Sequence, residues 1–220
     1  MNLTMFEKMQ LLPLFQGLSF GELSEIVEWM KMDFCQFHPN EVIVSQGDRC
    51  RSLIFVISGV VCAEYMDVDR RFVLTEELPS SMVLEPYSIY GLYQNYTRSY
   101  WMKTEGSGLV IPKNVFNELL RRYQIIRTNY INLICTRLQN NNIEFCTIRT
   151  LNIRDKIVKF VREVAYCNKG KKRLKIKMED LAIIIDETRL NVSRELNKMQ
   201  FEKKINMRRG VIEFFDFHEI

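Results

Sequence analysis

Within DETRLNVSRELNKM, residues 186–199, Arg189, Arg194 and Lys198 stand beside Thr188, Leu190, Asn191, Ser193 and Asn197. Arginine can pair bidentately with guanine, serine, asparagine and lysine can reach base edges or phosphates, and leucine can touch a thymine methyl. The chemistry suggested is recognition of a nucleic-acid groove. The same residues also fit a solvated face on a surface helix, or a contact for RNA or protein. At about 100° per residue, Val192, Leu196 and Met199 share one face of such a helix. Leu190, Arg194 and Asn197 lie opposite, flanked by Arg189 and Ser193, and Thr188 is placed to cap the start.

A helix used in this way needs a neighbour to hold it outward. The preceding segment, KMEDLAIIID, offers Leu181, Ala182 and Ile185 to the same core, with small Ala182 where two helices would cross closely. Only Asp186 and Glu187 separate the two, the length of a helix-turn-helix connection. That geometry leaves the N-terminal half of the second helix free to enter a major groove. INMRRGVIEFFD alternates about an RRG turn and reads as a two-stranded wing, on which Lys203, Lys204, Arg208 and Arg209 add positive charge. With NIRDKIVKFVREVAYC in front, the order expected after Leu151 is helix, helix, helix, hairpin.

Charge divides the chain at the same place. Residues 149–220 hold 18 Lys/Arg against 11 Asp/Glu, a net of +7, whereas residues 1–148 hold 13 against 16, a net of −3. Only the C-terminal third is therefore expected to meet a polyanion.

From about Asp33 to Ile111 the chain reads as short strands. EVIVSQGD, SLIFVISGVVCAEY and RFVLTEEL are rich in β-branched and aromatic residues, and Gly47, Gly59 and the DVDRR turn at 67–71 punctuate them. A sandwich or small barrel follows. Ahead of it PLFQGLSFGELSEIVEWM looks helical, with Ser19 and Glu22 at capping-box spacing. After Pro112, which suits a first helical turn, PKNVFNELLRRY reads as a short helix and Gln124 to about Ile148 as a long one. Along the long helix Ile131, Ile134, Leu138, Asn141, Phe145 and Ile148 recur at gaps of three and four, the seam of a coiled coil. A second stripe, Ile126, Tyr130 and Leu133, can pack on the chain's own strands. Two apolar faces ask for two partners, and a second copy of the helix is the natural one, with Asn141 fixing register; burial of both faces within one chain is the alternative.

Several functions are disfavoured. There is no phosphate loop, dinucleotide fingerprint, nucleophile elbow or zinc-protease motif. With His38 and His218 the only histidines, neither a triad nor a metal centre assembles easily, and His38 before Pro39 reads as a turn residue. The six cysteines (35, 50, 62, 135, 146 and 167) lack metal-knuckle spacing and read as reduced core residues. MNLTMFEKMQ has no signal-peptide apolar run, and no stretch is long enough to span a membrane. No enzyme, no metal and a cytoplasmic location are expected.

Taken together, these residues resemble the cyclic-AMP receptor/fumarate-nitrate regulator (Crp/Fnr) superfamily of bacterial transcription factors over nearly the whole chain. PLFQGLSFGEL resembles its opening helix, EVIVSQGD and LIFVISGVV its β-roll, and DLAIIIDETRLNVSREL its helix-turn-helix, where Ala182, Thr188, Arg189, Val192, Ser193 and Arg194 match the family pattern. Asp186 replaces the turn glycine but tolerates the left-handed conformation. Leu190 replaces the usual base-reading glutamate and cannot accept from cytosine N4, so the preferred half-site should differ from the family's common one.

The resemblance also implies a phosphate-binding cassette in VLEPYSIYGLYQNYTRSYWMKT. Glu85 matches its ribose-binding acid, and Arg98 and Ser99 its phosphate-binding pair. The departures are Leu84 in place of a glycine that lets backbone amides approach phosphate, Pro86 with no N–H to donate, a longer Glu85–Arg98 segment, Tyr100 in place of a small residue, and a crowd of Tyr87, Tyr90, Tyr93 and Tyr96. Either Glu85, Arg98, Ser99 and Tyr100 still hold a small anionic effector other than cyclic AMP, or aromatic side chains close the pocket and the roll is a scaffold. No cofactor is assigned, and cyclic AMP is disfavoured.

The expectation is an α+β chain: a jelly-roll-like β-roll sensor domain (1–122), a dimerisation helix (123–148) and a winged helix-turn-helix domain (149–220). Its expected function is that of a homodimeric transcription regulator on pseudo-palindromic double-stranded DNA, with RNA polymerase as a further contact the resemblance admits. The interface would be Ile131, Ile134, Leu138, Asn141 and Phe145. The rival from another class is a signalling module acting on protein partners, its DNA-binding unit vestigial.

Overall fold

The computed structural model describes residues 5–30, 33–145, 152–215 and 217. The chain opens on a short helix α1 (Met5–Gln10), which the sequence reading did not anticipate, and a single 3-10 turn (Pro13–Phe15). Helix α2 (Phe20–Met30) begins only after this, because Gly17 at φ 82° turns the chain. Ser19 and Glu22 form the capping box at its start: Glu22 N–H donates to Ser19 Oγ, and Ser19 N–H donates to the Glu22 carboxylate.

Eight strands follow: β1 (Asp33–Phe37), β2 (Val42–Val44), β3 (Ser52–Ser58), β4 (Val61–Met66), β5 (Phe72–Leu78), β6 (Met82–Val83), β7 (Ser99–Met102) and β8 (Gly106–Pro112). The SLIFVISGVVCAEY run splits into β3 and β4 at Gly59, whose φ of 93° only glycine adopts readily. Around Leu53, Phe55, Val61, Leu109 and Ile111 the inner faces close on one core, to which α2 adds Leu23 and Ile26. One sheet runs β1-β8-β3-β6.

Helix α3 (Lys113–Arg122) starts on Pro112, which is the N-cap and not a first-turn residue as its spacing suggests. Helix α4 (Gln124–Phe145) carries two faces. Ile126 is fully buried in the roll core, with Tyr130 and Leu133 packed beside it. On the other side Ile131 and Leu138 remain 53% and 59% exposed, with Ile134 half-buried. Burial of both faces within one chain does not occur over these positions. The side chains of Asn141 and Phe145, and all of Ile148, lie outside the described residues.

The last third comprises α5 (Ile153–Val164), β9 (Lys172–Ile176), α6 (Met178–Ile184), α7 (Arg189–Phe201), β10 (Ile205–Arg208) and β11 (Val211–Phe214). Strand β9 corrects the expected helix-helix-helix-hairpin order. Its alternation buries Lys172, Leu174 and Ile176 and exposes Arg173 and Lys175. It joins the other sheet, β10-β11-β9-β5-β4-β7-β2, so hydrogen bonding continues from the C-terminal hairpin into the roll. The β5–β9 register runs from Phe72↔Ile176 to Glu76↔Lys172. Phe72 and Leu74 of β5 pack in the C-terminal core with Phe160, Leu174 and Ile176, Phe72 meeting Phe160 edge-on at 5.0 Å.

Among the described cysteines Cys50 and Cys62 are buried, and burial raises the pKa of both thiols. Cys35 and Cys167 are half-buried. Cys135 is exposed on α4, against the expectation of a core residue. No group of described His, Cys, Asp or Glu side chains could hold a metal, and no described helix is long and apolar enough to cross a membrane.

Candidate functional site

Helix α7 is held by its buried stripe. Val192, Leu196 and Met199 are fully buried against Leu181, Ala182 and Ile185 of the α6 segment. Asp186 takes a positive φ of 52° in the connection, as its place in the turn requires. The Thr188 hydroxyl accepts from Asn191 N–H at 3.3 Å and closes the first turn. Helix α5 braces the other side. Arg154 forks onto Glu202 at 2.8 and 2.9 Å and reaches Glu195 at 2.8 Å, while Lys156 meets Glu187 at 2.7 Å. These ties fix the pitch of α7 without using any of its outward groups.

The outward groups are Leu190, 59% exposed, with Thr188, Arg189, Arg194, Asn197 and Lys198 exposed and Asn191 and Ser193 half-buried. Arg189 makes a solvent-exposed pair with Glu179 at 3.3 Å, weak enough to be exchanged for a phosphate. Arg208 and Arg209 are exposed at the hairpin tip, where Gly210 at φ 72° completes the turn between Arg208 and its partner Val211. The structure thus exposes both the helix cations and the wing cations and puts the apolar stripe inside.

The cassette is organised differently from an open pocket. Glu85 is fully buried at φ 35°. One of its oxygens accepts from Thr97 Oγ1 (2.8 Å) and Tyr100 Oη (3.0 Å), the other from Thr97 N–H (2.8 Å) and Ser88 Oγ (2.9 Å). A carboxylate offers about four lone-pair sites, and here four donors occupy them. Ser99 Oγ accepts from Gln46 N–H at 2.9 Å. Arg98 donates to Thr97 Oγ1 and to the carbonyl of Val164, at the C-terminal end of α5.

Tyrosines fill the space between. Tyr100 is fully buried, and desolvation raises its pKa far above the usual phenol range. Tyr166, from the segment after α5, meets it edge-on at 6.0 Å. Burial pushes the Tyr166 phenol up to about 12, and its hydroxyl donates to Val83 O at 3.0 Å. Tyr96 is buried, but Tyr93 is 82% exposed, so the four tyrosines of the insertion do not all crowd the cassette.

Sequence reasoning missed Glu76, Arg137, Tyr166 and Lys172. Glu76 and Lys172 form a fully buried ion pair at 2.8 Å between β5 and β9. Glu76 also accepts from the backbone N–H groups of Tyr166 and Cys167, and Lys172 donates to the carbonyls of Cys167 and Lys169. A signal existed for both. Glu76 falls on the inward parity of Phe72, Leu74 and Leu78, and Lys172 on that of Leu174 and Ile176. Arg137 and Tyr166 carried none, since each acts on a distant segment.

Residues 34–123 match the family model described as the cyclic nucleotide-binding domain. No curated protein sequence matches the chain. Among solved structures, the catabolite activator protein of Thermus thermophilus aligns over 92% of this chain and 93% of its own, with a TM-score of 0.55 and 20% identity. A candidate transcriptional regulator of the Crp/Fnr family from Eubacterium rectale covers 96% of each chain at a TM-score of 0.54 and 20% identity. The c-di-GMP-responsive global regulator CLP of Xanthomonas campestris covers 87% of this chain and 99% of its own at 0.52 and 16%. At these identities the likeness establishes the fold.

Proposed function

We propose that this chain, which has the fold of the Crp/Fnr transcription regulators, is a sequence-specific DNA-binding regulator that works as a homodimer. One observation carries the reading: α7 buries Val192, Leu196 and Met199 completely while Leu190, Arg194, Asn197 and Lys198 are exposed, as are Arg208 and Arg209 of the wing. Thr188, Arg189, Asn191 and Ser193 complete the reading face. Ile131, Ile134 and Leu138, continued by Asn141 and Phe145, form the dimer seam. Pairing along it would set two recognition helices about 34 Å apart, one turn of DNA, and make the site pseudo-palindromic.

The test is binding-site selection followed by titration. The selected half-site should differ from the family's common one at the position Leu190 faces, because a leucine reads a thymine methyl and not a cytosine amine. Arg194→Ala should then weaken binding to the selected site by about 1–3 kcal/mol while leaving random DNA little affected. Equal losses on both DNAs would move Arg194 from base readout to phosphate contact.

For the roll, the saturated Glu85 carboxylate supports the closed reading. A ribose hydroxyl would have to displace Thr97, Ser88 or Tyr100, and a phosphate would have to take Arg98 from the end of α5. Calorimetry with cyclic AMP and cyclic GMP on the purified protein should give no binding heat up to millimolar nucleotide. Micromolar affinity for either would restore the cassette as an effector site.

A further inference from the structure

The joint between the roll and the C-terminal unit is built as a receptor is built around a ligand. Tyr166 enters the cassette with its ring against Tyr100 and the Arg137 guanidinium 3.5 Å from its centre. Its hydroxyl accepts from Glu85 N–H at 3.3 Å as well as donating to Val83 O. Two arginines of the N-terminal part take backbone oxygens of the same segment: Arg98 that of Val164, and Arg137 that of Tyr166 at 3.3 Å. The carbonyls at a helix C-terminus carry partial negative charge, so Arg98 meets there what it would meet in an anion. Its guanidinium sits 5.5 and 5.6 Å from the rings of Tyr65 and Tyr166. Glu76 then holds the next two amides and Lys172.

We propose that residues 164–166 are the occupant of the cassette: the roll binds its own C-terminal unit at the effector position, so that filling that position and docking the unit are one event. Glu85, Arg98 and Arg137 act as positioning residues for α5 and, through its ties to α7, for the outward face of that helix. The consequence for DNA rests on the function proposed above; the docking does not. An ordinary domain contact would be held by the packing of Phe72 and Leu74 alone and would be indifferent to the cassette. A cassette-dependent contact loosens when the cassette's hold on the segment is cut, even with Phe72 and Leu74 in place.

Hydrogen exchange on the full chain without DNA separates the two. Arg98→Ala, at a half-buried position, removes the hold on Val164; Tyr166→Phe keeps the ring and removes only the hydroxyl. In both variants the amides shared by β5 and β9 should exchange about tenfold faster, since Arg98→Ala loses one charged hydrogen bond to the segment and Tyr166→Phe loses two neutral ones. Exchange in β3, β8 and α7 should stay as in the unsubstituted protein. Unchanged β5 and β9 exchange in both variants would overturn the proposal, and so would equal loosening of β3 and β8, which would make these residues parts of the general core. Because no DNA is present, failure of the DNA-binding reading would leave this result standing, and the reverse holds too.

Discussion

Lys172→Met should lower the stability of the chain by about 3–5 kcal/mol, read as an earlier midpoint in denaturant unfolding. The magnitude follows from stranding one partner of a buried ion pair. The Lys172 and Glu76 side chains are 0% and 1% exposed, so water does not screen the carboxylate left behind. Methionine fills nearly the same volume, which keeps a cavity from adding to the loss. Glu76 would retain the two amides of Tyr166 and Cys167 but lose the only cation bonded to it among the described residues. The pair bridges β5 and β9, so the chain can also escape the penalty by opening that joint, and the smaller of the two costs is what unfolding will report. The double substitution Lys172→Met with Glu76→Leu should recover most of the loss, since a well-packed apolar pair is often as stable as a buried ionic one. If the single substitution costs under about 1 kcal/mol, the pair is exposed in solution and the β5–β9 joint is open there.

Affinity for the selected DNA site should fall about a thousandfold when salt rises from about 50 to about 200 mM, the loss expected when six or more phosphates are neutralised. Arg189, Arg194, Lys198, Arg208 and Arg209 are exposed on one subunit, and a dimer presents two such sets. Each phosphate contact releases condensed counterions, and added salt opposes that release. Replacing Arg208 and Arg209 together by alanine should flatten the logarithmic slope by about two units per subunit if each meets one phosphate. No binding to duplex DNA even at about 50 mM salt, where phosphate contacts are strongest, would point to a protein partner and revive the signalling-module reading.

Much of the candidate interface was legible because it is local. The spacing of Val192, Leu196 and Met199, the cap at Thr188 and the tolerance of Asp186 for a left-handed turn all depend on residues within one or two turns of helix. The capping box at Ser19 and the strand parity of FVLTEEL are of the same kind. The cassette's departures at Leu84, Pro86 and Tyr100 were visible too, and narrowed its use to a changed ligand or a closed pocket. What hid β9 was composition: KKRLKIK is mostly lysine and arginine, and its period of two is easily mistaken for a charged linker.

Periodicity, capping and charge thus determined by themselves that an α+β chain carries, ahead of its C-terminal hairpin, a cationic helix with an apolar back. What satisfies Glu85 belonged to the tertiary structure: Thr97 and Tyr100 donate to its carboxylate, and its N–H donates to the hydroxyl of Tyr166, 81 residues away. So did the pairing of Glu76 with Lys172 across 96 residues. Short-range patterns are fixed by backbone geometry that any few residues share. A buried charge is tolerable only where a distant strand brings its counterpart into register, and no local pattern encodes that meeting.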